Sequence, residues 1–415
     1  MSAAANTTEF VTLAAGGAGS DTVVEASPLK TYESFDDMAL PDDLARGINA
    51  YGFDKPSSIQ SVAIVPMKER RDILAQSQSG TGKTGTFVIG SLSCVDPKIH
   101  APQVLVLSPV RELAQQTEKV AAALGQYMGL KTLAAVGGTQ VRADIGALRD
   151  GAQFVVGTPG RIYDLINRGD LALREIRYII LDEADQMLED LFQEQVKAIL
   201  SYKDDSRKIY FSNSARIALF SATMSREVIE VADAFLQDPV RILLPPDQVT
   251  LQGIKQYYVA VDREDWKFDC LTDIYQHLTI NQALIYVNKR QKAEWLAAKM
   301  RDAGFTLEYI HGEMEVGERK KRMHDFRTGV VRVLISTDLL ARGIDVQQVS
   351  VVINYELPVQ RENYIHRIGR SGRFARKGLA INLLTPDEMT MKADIEKHYS
   401  TVIEDLPGDL AALSK

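Results

Sequence analysis

From residue 31 onward, short apolar runs alternate with longer stretches whose apolar residues recur at helical spacing. The runs QVLVLSP (103–109), FVVGTP (154–159), RYIILDEAD (177–185) and IALFSAT (217–223) are rich in Val, Ile, Leu or Phe and end on small or polar residues. Between them lie amphipathic segments such as RELAQQTEKVAAALGQY (111–127). Strands alternating with helices predict a parallel sheet covered on both faces. The alternation starts again with ALIYVN (283–288), LEYIHG (307–312), VRVLISTD (331–338), VSVVINYE (349–356) and GLAINLL (378–384). QDPVRILLPPDQVTLQG (237–253) separates the two series, and its paired prolines and Gly253 suit an extended connection. The pattern predicts an α/β chain of two tandem parallel-sheet domains, 31–246 and 247–415, after a leader over 1–30.

In open α/β sheets ligands bind beyond the carboxyl ends of the strands, so residues just after strands carry the chemistry. AQSQSGTGKTGTF (75–87) follows the apolar DILA and precedes a helix-like run. The backbone N–H groups of Ser79, Gly80, Thr81 and Gly82, with the following helix N-terminus, are suited to cradle phosphates. Lys83 would meet the β/γ-phosphates and the Thr84 hydroxyl would ligate Mg²⁺. The usual pattern has glycine five residues before Gly82, where this chain has Ser77. A second strand candidate, YIIL, runs straight into Asp182, Glu183, Ala184 and Asp185. Carboxylates are costly to bury without a cation. Asp182 is placed to complete a Mg²⁺ site beside the phosphate loop, and Glu183 to orient or deprotonate an attacking water.

The 415 residues are 45% hydrophobic and 25% charged, ordinary globular composition with room for two or three domains. The formal net charge of −7 argues against nonspecific coating of nucleic acid but leaves room for a local basic groove. Two distant cysteines, Cys94 and Cys270, without a CxxC, point to reduced thiols and an intracellular compartment, cytoplasmic or nuclear. No apolar run approaches the roughly 18 residues of a membrane span. The leader's first basic residue is Lys30, after Glu9, Asp21 and Glu25, which fits neither a signal nor a transit peptide and predicts disorder. The six histidines form no HExxH or other close ligand pair. Trp266 and Trp295 read as packing residues.

Asp-Glu-Ala-Asp after a phosphate loop resembles the DEAD-box RNA helicases of superfamily two. The resemblance runs from about residue 32 to the C-terminus through GFDKPSSIQ (52–60), SQSGTGKT (77–84), PVREL (109–113), GG (137–138), TPGR (158–161), SAT (221–223), STD (336–338), ARGID (341–345) and HRIGRSGR (366–373). Phe35 lies 17 residues before Gly52, the family's spacing for an upstream aromatic. The build, without long charged tails, is most similar to the initiation factor 4A subfamily. The resemblance implies two RecA-like domains that bind ATP and RNA between them. It implies Gln60 and Phe53 at the adenine, Asp345 at the ribose, and Arg370 and Arg373 as arginine fingers to the γ-phosphate. Ser221, Thr223 and His366 would couple nucleotide state to RNA. Arg111, Gly138, Thr158, Gly160, Arg161, Asn288, Arg319 and Thr337 sit at the family's RNA-contact positions, mainly sugar–phosphate contacts and hence independent of sequence. The implied activity is RNA-stimulated ATP hydrolysis that unwinds short duplexes in translation initiation. The alternative is an ATP-locked clamp on mRNA like the exon-junction member. A HEAT-repeat scaffold partner and a monomeric chain are expected.

Two departures from the family stand out. The segment 201–223 is longer than in relatives, with the surplus within about 204–216 as a surface loop or hairpin. The usual PTREL reads PVREL, so Val110 replaces a threonine whose hydroxyl would reach the RNA backbone. Val110→Thr is therefore expected to tighten RNA binding modestly in a titration with labelled single strand; unchanged or weaker affinity would defeat that reading.

Overall fold

Runs of Val, Ile and Leu with no polar alternate need cover on both faces, and the computed structural model of the chain places them accordingly. It describes residues 11–12, 27–77, 81–188, 192–204, 206, 209–243, 254–278, 282–338, 349–371 and 378–408. The chain divides into two units, Met1–Pro245 and Pro246–Lys415.

The first unit holds strands β1 (Ile73–Gln76), β2 (Val104–Leu107), β3 (Thr132–Ala135), β4 (Phe154–Gly157), β5 (Tyr178–Asp182), β6 (Arg216–Ser221) and β7 (Val240–Ile242) in one seven-stranded sheet, order β7-β1-β6-β5-β2-β4-β3. All its pairings are parallel. The two-residue period of a strand divides its core into two layers. Val104, Val106, Phe154, Val156, Tyr178, Ile180, Ala218 and Phe220 pack on one face, under helices α1 (Asp42–Tyr51), α2 (Ser58–Lys68), α3 (Lys83–Leu92) and α4 (Arg111–Leu124). Leu105, Leu107, Val155, Ile179, Leu181 and Leu219 pack on the other, under α5 (Val141–Arg149), α6 (Pro159–Arg168), α7 (Ala184–Leu188), α8 (Gln193–Leu200) and α9 (Arg226–Phe235). Each such side chain, fully buried, contributes roughly 1.5–3 kcal/mol. Register then sets the site: Ser221 pairs with Gln76 and Phe220 with Asp182, so the loops after β1, β6 and β5 leave the sheet side by side.

The second unit repeats the plan. Strands β8 (Ile254–Ala260), β9 (Ala283–Tyr286), β10 (Leu307–Ile310), β11 (Val333–Ser336), β12 (Val351–Asn354), β13 (Gly378–Leu384) and β14 (Glu404–Asp405) are ordered β10-β11-β9-β12-β13-β8-β14, again parallel. Helices α10 (Lys267–His277), α11 (Arg290–Asp302), α12 (Val316–Arg327), α13 (Arg361–Ile368) and α14 (Met389–Tyr399) lie between them in sequence. A polar rung crosses this sheet, with the Asn354 amide donating to Asn382 Oδ1 at 2.8 Å. Buried amides on adjacent strands satisfy each other there and pin the register.

The nine strands that the apolar runs announce are present, Gly378–Leu384 with the announced bounds, Arg216–Ser221 shifted toward the N-terminus and the others shortened by two to four residues. Thr132–Ala135, Val240–Ile242, Ile254–Ala260 and Glu404–Asp405 were not anticipated, because their runs are short or carry polar residues. In the leader Val11–Thr12 pairs antiparallel with Ser27–Pro28, and residues 1–10 and 13–26, on which the expected disorder falls, lie outside the described residues. The surplus segment contains a hairpin, Lys203 opposite Tyr210 and Asp204 opposite Ile209. The tryptophans correct the sequence reading: Trp266 is 49% and Trp295 44% exposed. Trp295 keeps its ring at the surface between the ammonium groups of Lys292 and Lys299, 4.6 and 5.2 Å from its centroid. Among the described residues no helix is long and apolar enough to cross a membrane.

Gly157 ends β4 just before the TPGR turn, and a Cβ there would lie 2.3 Å from the Ala135 carbonyl oxygen and 2.7 Å from Ile162 Cδ1. Gly157→Ala is therefore expected to lower unfolding free energy by about 1–3 kcal/mol in a denaturant titration; wild-type stability would show that the strand yields without strain.

Candidate functional site

The loop after β1 turns into α3 through Gly82, whose φ of +100° is open to glycine at little cost. A Cβ at Gly82 would also meet Ser57 Oγ at 2.8 Å. Lys83 is thereby the first residue of α3, and its ammonium reaches across to Glu183 Oε1 at 3.2 Å. Both side chains are nearly sealed, 6% and 3% exposed. Glu183 itself has φ +53°, a left-handed conformation unusual for a side chain of this size. Thr84 follows, half-buried. Ser77, which stands where glycine is usual, forms a hydroxyl–hydroxyl hydrogen bond with Thr81 at 2.5 Å and donates its N–H to the Ser221 carbonyl at 2.9 Å. The departure thus adds a hydroxyl bond within the phosphate loop, while the bond to the SAT strand is a backbone one that any residue here would make. Ser79 and Gly80 lie outside the described residues.

Asp182 ends β5 at 2% exposure. Burial, and then the Glu183 charge, push its carboxyl up to about 7 against the opposing pull of Lys83. Asp185, also buried, accepts the Thr223 hydroxyl at 2.6 Å, and its N–H donates to Ser221 Oγ at 3.3 Å. The two hydroxyls of SAT therefore do bond to the acidic motif.

Gln60 is the third residue of α2 and closes a capping box, its Oε1 accepting the Ser57 N–H at 2.8 Å. Its Nε2 points to the Gly82 carbonyl at 3.4 Å, so the amide links the GFDKPSSIQ segment to the phosphate loop. The Phe53 ring packs beside Phe35, centroids 6.2 Å apart, and edge-on to Tyr51 at 4.9 Å.

A second cluster in this unit joins the loops after β3 and β4 to the start of α4. Thr158 stands at the N-cap position of α6 without a side-chain cap bond, and Pro159 follows at the first helical position. Gly160 is exposed and Gly138 has φ +79°. Arg161 has partners of its own: it pairs with the buried Asp144 and donates to the Thr139 carbonyl at 2.9 Å, stapling α6 to the GG loop. Burial raises the Asp144 pKa, and Arg161 only partly opposes that. Arg111 opens α4 with its guanidinium over Gly137, where a Cβ would come within 3.2 Å of Nη2. Val110 is the N-cap of α4 and makes no side-chain cap bond.

In the second unit the dominant polar group is Arg367, fully buried. It donates to Asp338 Oδ1 at 2.5 Å, Asn288 Oδ1 at 2.8 Å, the Glu356 carbonyl at 2.7 Å and Asn354 Oδ1 at 3.3 Å. Asn288 also donates to the Leu357 carbonyl at 2.8 Å. Arg367 thus binds together the loops after β9, β11 and β12, which hold Asn288 and Thr337. Sequence reading held this arginine within HRIGRSGR (366–373) but gave it no role; the signal was its place directly after His366, at the end of α13 and before Arg370. His366 is fully buried, and Arg370, 2% exposed, donates Nε to the His366 carbonyl at 3.2 Å. Thr337 is half-buried, and Arg319 is 5% exposed with Nη1 on the Gly312 carbonyl at 3.3 Å. Asp345 and Arg373 lie outside the described residues.

The Asp182 environment has a consequence for stability. The folded chain holds a proton up to about 7 that an unfolded Asp at 3.8 has already released. Stability contributed by this group therefore falls as pH rises between those values and stays lowered above them. Asp182→Asn is expected to match wild type near about pH 4 and to melt at a higher temperature at about pH 8 without nucleotide. Equal melting at the higher pH would show that the carboxylate carries no such penalty.

The DEAD/DEAH box helicase family matches residues 57–231, and the helicase conserved C-terminal domain matches 266–375. The chain is 51% identical over 390 residues to the ATP-dependent RNA helicase eIF4A of Chaetomium globosum, covering 94% of this chain and 96% of that one. The Schizosaccharomyces pombe protein of the same name is 49% identical over 393 residues, 95% and 98% covered. Among solved structures, S. cerevisiae Dbp5 bound to RNA and ADP BeF3 matches with TM-score 0.84 at 34% identity, covering 92% of this chain and 98% of that chain. A single-residue variant of it, bound to a single-residue variant of Gle1 and IP6, matches with TM-score 0.73 at 34% identity, covering 91% and 96%. With half-identical relatives along almost its whole length, a phosphate loop facing buried acids and a second parallel sheet behind the arginine motif, the chain belongs to the DEAD-box ATP-dependent RNA helicases, enzymes that hydrolyse ATP.

Proposed function

We propose that this RNA helicase unwinds short RNA duplexes in translation initiation and that both units contribute to its ATP hydrolysis. The observation that carries the reading is the buried Lys83–Glu183 pair beside Asp182, with Asp185 tied to Ser221 and Thr223. The loop Ser79–Thr84 and the α3 N-terminus hold the phosphates, and Lys83 leaves Glu183 for the β/γ-phosphates. Phe53 and Gln60 receive the adenine and Asp345 the ribose. Glu183 takes the water's proton or orients it, while Arg370 and Arg373 of the second unit meet the charge that develops on the γ-phosphate.

Two buried acids faced by one ammonium leave negative charge that a divalent cation fits, and the raised Asp182 pKa is the sign of that imbalance. Thr84 and Asp182, the latter partly through water, would hold Mg²⁺. Bound there, the ion would neutralise phosphate oxygens. Arg111, Gly138, Thr158, Gly160, Asn288, Arg319 and Thr337 contact the RNA backbone, with Arg161 holding the GG loop in place from its pair with Asp144. Ser221 and Thr223 sense nucleotide through Asp185, and His366 extends that coupling. A HEAT-repeat scaffold partner and a cytoplasmic location follow from the similarity to initiation-factor helicases.

RNA-stimulated ATP hydrolysis and strand separation of a short duplex test the activity. Glu183→Gln is expected to bind ATP as wild type does and to lose at least about a hundredfold in hydrolysis. Wild-type turnover in that variant would remove Glu183 from the chemistry.

A further inference from the structure

At the opposite ends of β1, β6 and β5 from Lys83 and Asp182, four arginines stand in a row. Arg70 and Arg71 precede β1, Arg216 begins β6 and Arg177 precedes β5. Register holds them level, with Arg216 opposite Tyr178 and Ala218 opposite Ile73. Arg71 is paired with Asp238 at 3.1 Å. Among the described residues the other three meet no carboxylate at ion-pair distance. Arg70 donates to the Ser214 carbonyl at 2.6 Å and Arg177 to the Cys94 carbonyl at 2.5 Å. Arg216 Nε is buried without a hydrogen-bond partner. The nearby Asp72 offers no relief, because its two oxygens accept the backbone N–H groups of Ile217 and Gln237 at 2.9 and 2.6 Å.

The backbone at Arg70 is as unusual as the charge. The end of α2 is a Schellman turn, with Arg70 N–H on the Met67 carbonyl and Arg71 N–H on the Pro66 carbonyl, 2.8 and 3.0 Å. Arg70 occupies its left-handed position at φ +59°, where glycine is the low-energy residue. Helix C-termini attract cations, which accounts for Arg177 on the Cys94 carbonyl. It does not account for an arginine where glycine belongs, nor for three arginines side by side with no carboxylate among the described residues at ion-pair distance.

We propose that Arg70, Arg177 and Arg216 form an accessory phosphate-binding surface that holds single-stranded RNA running beyond the helicase contacts. Strands lie about 4.8 Å apart, so the row from β1 to β5 spans roughly 10 Å, more than one phosphoryl group and suited to successive phosphodiesters. The turn that leads from the surplus hairpin into β6 adds exposed Asn213 and Ser214, with Ser212 and Ser214 hydroxyls 2.9 Å apart, groups of the kind that bond to sugar and phosphate. A strand held here lies at the far edge of the sheet from the phosphate loop and leaves nucleotide access open.

The inference presupposes that the chain binds RNA, and one experiment separates the two. Full-length wild type, Arg70→Gly and Arg216→Gln are titrated, with a non-hydrolysable ATP analogue, against an oligouridine that fills one helicase footprint and against one several times longer. Both variants are expected to bind the short strand like wild type. Each is expected to lose about fivefold in affinity for the long strand, with a salt slope smaller by about one. Arg70→Gly should melt at the wild-type temperature or above, which excludes misfolding as the cause of its loss. Unchanged long-strand affinity overturns the proposal. So does a loss confined to a phosphoserine peptide, which would assign the row to a protein partner. Failure of wild type to bind the short strand would instead overturn the helicase reading.

Discussion

One buried strand ends in a run of carboxylates, and a single ammonium from the neighbouring loop answers them. Lys83 and Glu183 meet at 3.2 Å in a space almost closed to water, while Asp182 beside them is held toward its protonated form. Charges this deep persist only when paired or poised for a partner. The surrounding features follow from that constraint. Gly82 must be glycine-like for Lys83 to start its helix, Glu183 takes a left-handed backbone to face the lysine, and Asp185 is held by the hydroxyls of Ser221 and Thr223.

The second unit solves a different electrostatic problem. Its central cation is held from several sides: Arg367 donates to Asp338, Asn288, Asn354 and the Glu356 carbonyl. That network ties together the loops after three strands, and Arg370 follows just past the end of α13 with its Nε on the His366 carbonyl.

The sheets were legible because β-branched runs buried on both faces look like little else. So were Lys83, Asp182 and Glu183, since a glycine turn before a lysine and an acid run after an apolar strand both mark strand ends. Partner choice was not legible. Nothing in TPGR says that Arg161 takes Asp144, which comes from the helix after the GG loop; three-dimensional proximity decides it. Ser77 looked like a defect until its hydroxyl met Thr81. The tryptophans misled because an aromatic at helical spacing usually packs inward, whereas Lys292 and Lys299 supply a surface cover for Trp295.

If the acid cluster awaits a metal-bound triphosphate, filling it must expel the proton that burial keeps on Asp182. Calorimetry of Mg·ATP binding at neutral pH, in two buffers of different ionisation enthalpy, counts that proton directly. The account predicts net release by the wild-type chain and a smaller release, by the same fraction of a proton, in Asp182→Asn. Identical proton counts for the two proteins would contradict it.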